Sequence, residues 1–245
     1  MSSRWRDKDK EYINYRKLFP EPPDGDYSKL QIDAEALMYI TTPYNAKMIC
    51  SIVQNNLQNL RDLQDLRDLR DYAEKPNTDM SKICVFDMMG GVCGDTIEFG
   101  KTFGSVISCE KDISRFSMLR TNVGVYGLSN VELHNKCSLT LLPDILNTNA
   151  VDVVYMDPPW GGKSYKDSAL LTLSIDGRPI EDVIREVITS VSASANSGSD
   201  RRVKLIVLKL PKNYDIAHLY YETKKPNTTV LMYELQKMLI IIYKL

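Results

Sequence analysis

The chain is poor in the residues that usually mark a metal centre, and neither sign of charge dominates it. Its 245 residues include two histidines and five cysteines, and 31 basic side chains almost balance 32 acidic ones. The cysteines (Cys50, Cys84, Cys93, Cys109 and Cys137) form no Cys-x-x-Cys pair, and only His134 and His218 could join them. That spacing fits neither a zinc site nor a disulfide framework, so no metal is expected. Near-zero net charge gives no sign of a nucleic-acid binder, although it is compatible with a local basic patch. Long hydrophobic runs are also missing. The longest apolar stretch near the C-terminus runs from Leu239 to Tyr243, far too short to span a bilayer. Free thiols and no signal peptide point to a reducing intracellular compartment, nucleus or cytoplasm.

What is present is an ordinary globular composition, 43% hydrophobic and 26% charged. The length suits one domain, or one domain with an appendage. Residues 1–80 read as a helical extension: a short helix over 9–18, a proline-rich connector, and a helix over 42–60. Thr42 is the expected N-cap of that second helix, and Pro43 its first residue. A Leu-Arg-Asp repeat continues it from Leu60 to Asp71, as a surface helix or a helix that binds a protein partner. From residue 81 the texture changes to short apolar runs alternating with amphipathic stretches. Strands are expected over 83–86, 106–109, 131–134, 151–156 and 203–210, with a closing pair over 230–232 and 238–243. Helices are expected over 95–101, 113–126 and 180–192, and a loop over 190–200. Strands alternating with helices specify an α/β fold, a doubly wound, mainly parallel sheet covered on both faces.

The turn Asp87-Met88-Met89-Gly90-Gly91-Val92-Cys93-Gly94-Asp95-Thr96 follows the first strong strand and opens a helix. Glycine belongs where a ligand must approach the backbone. Glu110 closes the next strand, about 20 residues further on, where a carboxylate accepts both hydroxyls of an adenosine ribose. Dehydrogenases use the same device. The glycine pattern here is not Gly-x-Gly-x-x-Gly, and no pyrophosphate grip is evident, which favours S-adenosylmethionine over a dinucleotide.

Asp157-Pro158-Pro159-Trp160-Gly161-Gly162 ends the strand over 151–156. Open α/β sheets bind ligands beyond the carboxyl ends of their strands. An exocyclic base amine is a poor nucleophile because its lone pair is delocalised into the ring. Two acceptors on its hydrogens, the Asp157 side chain and the Pro158 carbonyl, would localise that pair and aim it. The prolines stiffen the turn, and Trp160 offers a flat face for stacking.

These residues resemble the trimethylguanosine synthase family, which methylates the N2 amine of 7-methylguanosine caps, and the similarity covers most of the chain. Asp87 to Thr96 is similar to that family's Asp-x-Phe-Cys-Gly-Val-Gly-Gly-Asn-Thr. The run Asn122-Val123-Gly124-Val125-Tyr126-Gly127-Leu128 is similar to its Asn-x-x-x-Tyr-Gly-Ile, Trp160-Gly161-Gly162 to its Pro-Pro-Trp-Gly-Gly, and Leu210-Pro211-Lys212-Asn213 to its Leu-Pro-Arg-Asn. Tyr15-Arg16-Lys17-Leu18-Phe19 and Thr42-Pro43 also resemble family segments. The resemblance implies a Rossmann-like methyltransferase domain over 81–245. It implies catalysis by Asp157, Pro158 and Trp160, with Trp160 stacked on the cap guanine. It implies cofactor contacts from Phe19, Thr42, Asp87, Gly90, Gly91, Gly94, Thr96, Glu110, Cys137 and Ser138. Asn122 would lie near both ligands, and Lys10, Lys212 and Asn213 near the cap and its phosphates.

Two departures stand out. Cys137 or Ser138 occupies the place where the family has an Asp for the adenine amine, and Cys93 replaces a turn glycine. Three other readings stay open at this level: an adenine-N6 methyltransferase, a tRNA or rRNA guanine-N2 methyltransferase, and a non-catalytic cap-binding protein on the same fold. The lysine-, asparagine- and isoleucine-rich texture suits a protist or a large DNA virus.

Overall fold

A computed structural model describes residues 14–58, 78–148, 151–194, 203–226 and 228–245. In the extension, α1 (Tyr15–Leu18) and two 3-10 turns (Tyr27–Lys29 and Ala36–Met38) lead to α2 (Pro43–Gln58). The α/β body then runs β1 (Cys84–Asp87), α3 (Thr96–Thr102), β2 (Ser105–Cys109), α4 (Ile113–Val125), β3 (Val131–His134), α5 (Ser138–Asn147) and β4 (Val153–Met156). A small hairpin, β5 (Ser174–Ile175) and β6 (Arg178–Pro179), precedes α6 (Ile180–Ser194), β7 (Leu205–Pro211), α7 (Ile216–Thr223), β8 (Thr229–Glu234) and β9 (Met238–Lys244).

Seven strands form one sheet in the order β3-β2-β1-β4-β7-β9-β8, and β5 pairs with β6 apart from it. Strands β1 to β4 and β7 are parallel neighbours, and β9 runs antiparallel to both β7 and β8. The expected doubly wound fold is therefore the observed one. Alternation along the strands builds its two faces. Phe86, Val154, Met156, Ile206, Leu208, Ile241 and Tyr243 pack beneath α5, α6 and α7. Val85, Val153, Tyr155, Leu205, Val207, Ile240 and Ile242 pack against α2 and α3. Full burial of each such aliphatic side chain stabilises the fold by about 1.5–3 kcal/mol, so β7 and β9, buried throughout, anchor the sheet.

Helix α2 begins as its sequence requires, with the Ala46 amide donating to the Thr42 carbonyl at 2.9 Å and Pro43 in the first turn. Its apolar stripe supplies one face of the core. The extension thus provides a structural layer of the sheet. A third cluster (Phe19, Leu30, Cys93, Ile97, Leu119, Val123 and Tyr126) ties the extension to α3 and α4.

Several boundaries differ from the sequence reading. β1 is displaced one residue toward the C-terminus, β4 begins at Val153, and β7 runs from Leu205 to Pro211. Helix α5 is absent from the sequence reading and has Pro143 inside it; a proline deletes one helical hydrogen bond, but the amphipathic stripe packs and the helix survives. The helix expected over 180–192 runs on to Ser194 as α6, into the expected loop. The β5–β6 hairpin turns through Asp176 (φ 48°) and Gly177 (φ 79°), consecutive left-handed residues of the kind tight hairpins use. Of the helix expected over 9–18, residues 15–18 form α1 and 9–13 lie outside the described residues, as do the Leu60 to Asp71 repeat and residues 195–200 of the expected loop.

Candidate functional site

Strand order reverses between β1 and β4, which leaves a crevice at their carboxyl ends. Asp87 ends β1 on one side of it, and Asp157 follows β4 on the other.

Asp87 is buried, and its carboxylate accepts from Thr96 Oγ1 at 2.6 Å, Ser108 Oγ at 3.3 Å and the Met89 amide at 3.3 Å. Burial nevertheless pushes its carboxyl up to about 7. The glycine turn wraps this acid. A Cβ on Gly90 would stand 2.2 Å from Ser108 Oγ, so the backbone lies against β2 as only glycine permits. Gly91 has φ 55°, and a Cβ on Gly94 would meet the Thr41 backbone at 3.0 Å. Cys93 carries a positive φ of 82°, and its side chain enters the third cluster beside Phe19. It therefore points into the core.

Glu110 leaves β2 with one oxygen accepting from the Asp112 amide at 2.8 Å. Burial raises its pKa, against hydrogen bonds from the Asp112 and Gly91 amides. Asn135 braces the same corner by donating to the Glu110 carbonyl at 2.8 Å. Ser138 is buried at the start of α5. Next to it, the Cys137 thiol donates to Asp176, which also pairs with Lys111. The hairpin thus brings a carboxylate beside Cys137.

Across the crevice, Pro158 is buried, Pro159 exposed and Trp160 half-buried. Tyr165 packs its ring edgewise on Trp160, with centroids 5.3 Å apart and planes at 76°. Gly161 and Gly162 follow with φ 91° and 68°, a consecutive left-handed pair. Asn213 pins this loop, donating to the Tyr165 carbonyl at 2.7 Å and the Ser168 carbonyl at 2.8 Å.

Some expected site residues have other duties. Asn122 is fully buried, with its amide committed to the Gln31 amide (2.7 Å), the Gln31 carbonyl (2.7 Å) and the Val92 carbonyl (3.0 Å). It joins the extension to the glycine turn and leaves no group for a ligand. Phe19 is likewise core, stacked at 6.1 Å on Tyr15. Asn213 spends its amide hydrogens on the loop. Lys212 is half-exposed and bonded to Glu234 at 2.5 Å. Thr42 caps α2, while its neighbour Thr41 enters the site. Lys10 lies outside the described residues.

The sequence reading missed a buried polar cluster under Asp157: Thr41, Asp95, Tyr155 and Lys209. Thr41 Oγ1 donates to Asp95 Oδ2 at 2.6 Å and the Tyr155 hydroxyl donates to the same oxygen at 3.0 Å. Lys209 Nζ reaches Asp157 Oδ2 and Thr41 Oγ1, each at 2.5 Å. One signal was available: Lys209 interrupts an otherwise apolar strand run.

Comparison with known proteins decides the family. The sequence profile described as RNA cap guanine-N2 methyltransferase matches residues 82–241. The chain belongs to that family. Over 229 residues it is also 31% identical to an uncharacterised protein of Acanthamoeba polyphaga mimivirus, covering 94% of this chain and 84% of that one. A trimethylguanosine synthase of Schizosaccharomyces pombe is 27% identical over 143 residues, 55% of this chain and 53% of the yeast protein. Among solved structures, the precorrin-6y C5,15-methyltransferase of Geobacter metallireducens superposes with a TM-score of 0.51 at 18% identity, covering 89% of this chain and 100% of the other. As a member of the cap guanine-N2 methyltransferase family, the protein is an S-adenosylmethionine-dependent methyltransferase with the Rossmann-like fold. Its own residues fit that cofactor. Gly90 and Gly91 keep a floor free of side chains, Glu110 offers a half-buried carboxylate just after β2, and the buried acids Asp87 and Asp95 suit a sulfonium cation. Among the described residues no helix is long and apolar enough to cross a membrane.

Proposed function

We propose that the protein methylates the exocyclic N2 amine of 7-methylguanosine RNA caps. One observation carries this reading: Asp157, Pro158 and Trp160 follow β4 directly, beside the crevice where strand order reverses, with the Trp160 ring braced by Tyr165. The family match supports guanine N2 as the acceptor over adenine N6.

Bound S-adenosylmethionine would supply a methyl group already activated on a sulfonium. The protein's contribution is then positioning and desolvation. Gly90, Gly91 and Gly94 hold the turn open, Thr96 and Asp87 brace it, and Glu110 takes the ribose hydroxyls. Cys137 and Ser138 border the adenine, where Asp176 replaces the carboxylate missing after β3. Thr42 helps close the cofactor side.

Trp160 stacks on the cap guanine, worth about 1–3 kcal/mol, and the positive charge of a 7-methylated base adds a cation–π contribution. Asp157 and the Pro158 carbonyl accept the two amine hydrogens, and Asp157 is placed to take the proton that the methylated amine releases. Lys212 serves the cap phosphates by exchanging Glu234 for them, with Lys10 as its partner. Phe19, Asn122 and Asn213 act through packing and loop placement. Capped RNA or a cap nucleotide is the binding partner on this reading.

The test is methyl transfer from labelled S-adenosylmethionine to 7-methyl-GTP, with GTP and adenine-containing RNA as parallel acceptors. Label on N2 of the 7-methylated nucleotide alone is the expected result. Transfer to adenine moves the protein to N6 chemistry, and binding of the cap analogue without transfer makes it a cap-binding module.

A further inference from the structure

Strand β7 reads Leu205-Ile206-Val207-Leu208-Lys209-Leu210-Pro211 and is buried at every position. Lys209 is its one charged residue, and its side chain is 3% exposed. Placing an ammonium there costs several kcal/mol unless partners compensate it. Four groups face it. Asp157 Oδ2 and Thr41 Oγ1 each lie at 2.5 Å, Asp95 Oδ2 at 3.6 Å, and the Trp160 ring centroid at 6.0 Å. Burial opposes the charge of Lys209, but Asp157 and Asp95 more than offset that and hold its pKa above the ordinary range, with Asp87 adding to the effect.

The partners are unequal in a way that packing alone does not require. Asp95 receives Thr41, Tyr155 and Lys209 on Oδ2, while its Oδ1 is buried without a partner. Asp157 instead gives Oδ2 to the ammonium, and its side chain, unlike that of Lys209, stays partly open to solvent at 20% exposure. The lysine therefore grips one oxygen of the residue that opens the reacting motif.

We propose that Lys209 is a positioning residue for methyl transfer, clamping one oxygen of Asp157 and keeping that carboxylate an ionised acceptor for the base amine. This rests on the reading above that Asp157 accepts an amine hydrogen. Burial pushes Asp157 up to about 6, with Lys209 opposing and Asp95 reinforcing the rise. Without Lys209, the acid is left beside Asp95, with Tyr155, Thr41 and Asp87 nearby and no other side-chain cation among the described residues to oppose protonation. At neutral pH it becomes a neutral carboxyl and stops acting as a pure acceptor.

The experiment compares Lys209→Met, Lys209→Arg and the double variant Lys209→Met/Asp95→Asn by two readouts: the pH dependence of kcat, and the infrared band of a protonated carboxyl, assigned to Asp157 by its loss on adding Asp157→Asn. In Lys209→Met the acid limb should move up by about one pH unit or more, so activity at neutral pH falls about tenfold and recovers in base. The infrared band should persist to the same higher pH. Lys209→Arg should keep the limb near its original place, and adding Asp95→Asn should bring it back down. Thr41→Val, which changes no charge, should shift it less in the same direction and serves if Lys209→Met fails to fold. Equal loss of activity at every pH, with limb and band unmoved, would overturn the proposal and make the lysine purely structural. The infrared arm reads Asp157 whichever base is methylated. A wild-type enzyme inactive on 7-methyl-GTP, together with a shifted band in Lys209→Met, thus refutes the cap reading and leaves the clamp standing.

Discussion

Asp157 and Lys209 stand 52 positions apart in the chain and meet at 2.5 Å. Strand register brings them together. β4 and β7 are parallel neighbours aligned through Met156 and Leu208, so the next residue on each strand projects on the same side, at the same level. The strands that build the crevice thereby also build the ion pair beneath it.

Trp160 supplies the stacking face. Trp160→Ala should lower kcat/KM for 7-methyl-GTP by about 10- to 100-fold, matching the loss of about 1–3 kcal/mol of stacking. Trp160→Phe should keep part of it. Steady-state kinetics on both variants checks this, and an Ala variant at wild-type efficiency removes Trp160 from substrate recognition.

Cofactor affinity should depend strongly on Glu110 and more weakly on Asp176. Hydrogen bonds to a charged group contribute about 1.5–3 kcal/mol, so Glu110→Ala should raise the Kd for S-adenosylmethionine about tenfold or more. Asp176→Ala, which also releases Lys111 and Cys137, should raise it a few-fold. Calorimetric titration measures both; an unchanged Kd in Glu110→Ala would place the ribose elsewhere.

Asp87 gives the fold a pH signature. Its carboxyl is held at about 7, against an ordinary 3.8, mainly by burial. The native protein therefore binds this proton more tightly than the unfolded chain does, and the contribution is fully present below the ordinary value. It is lost as pH rises between the two. Asp87→Asn removes that loss, so the Tm of the variant relative to wild type should climb from about pH 4 to about pH 7 and level off above it. A constant difference across that range would show that Asp87 ionises normally in the folded state.

Asn122, which is buried, and Asn213, which is half-buried, should separate stability from recognition. Asn122→Ala strands the Gln31 and Val92 backbone groups and should destabilise the fold by about 1–3 kcal/mol, seen as a lower denaturant midpoint. Asn213→Ala frees the loop at Tyr165 and Ser168, and should raise KM for the cap nucleotide while leaving cofactor Kd unchanged. If the asparagines exchange these effects, the assignments given to them are wrong.

Much of this architecture was legible in the order of residues. The runs ending at Asp87, Cys109 and Met156 are apolar because strands buried on both faces need no alternation with polar residues. Glycines sit where a Cβ would strike Ser108 or Thr41, and acids sit at strand ends. Harder to read were α5, disguised by Pro143, and the duties of Phe19 and Asn122, whose motif positions look the same whether they face a ligand or the core.

The sequence by itself determined the α/β fold, the glycine turn, Glu110 after β2 and the Asp157 to Trp160 motif, because each depends on local periodicity, backbone freedom or adjacency. Only the tertiary structure decided which polar residues share a burial site. Lys209, Thr41 and Asp95 come from three distant segments, and their charges matter only because the folded sheet removes them from water and leaves them to one another.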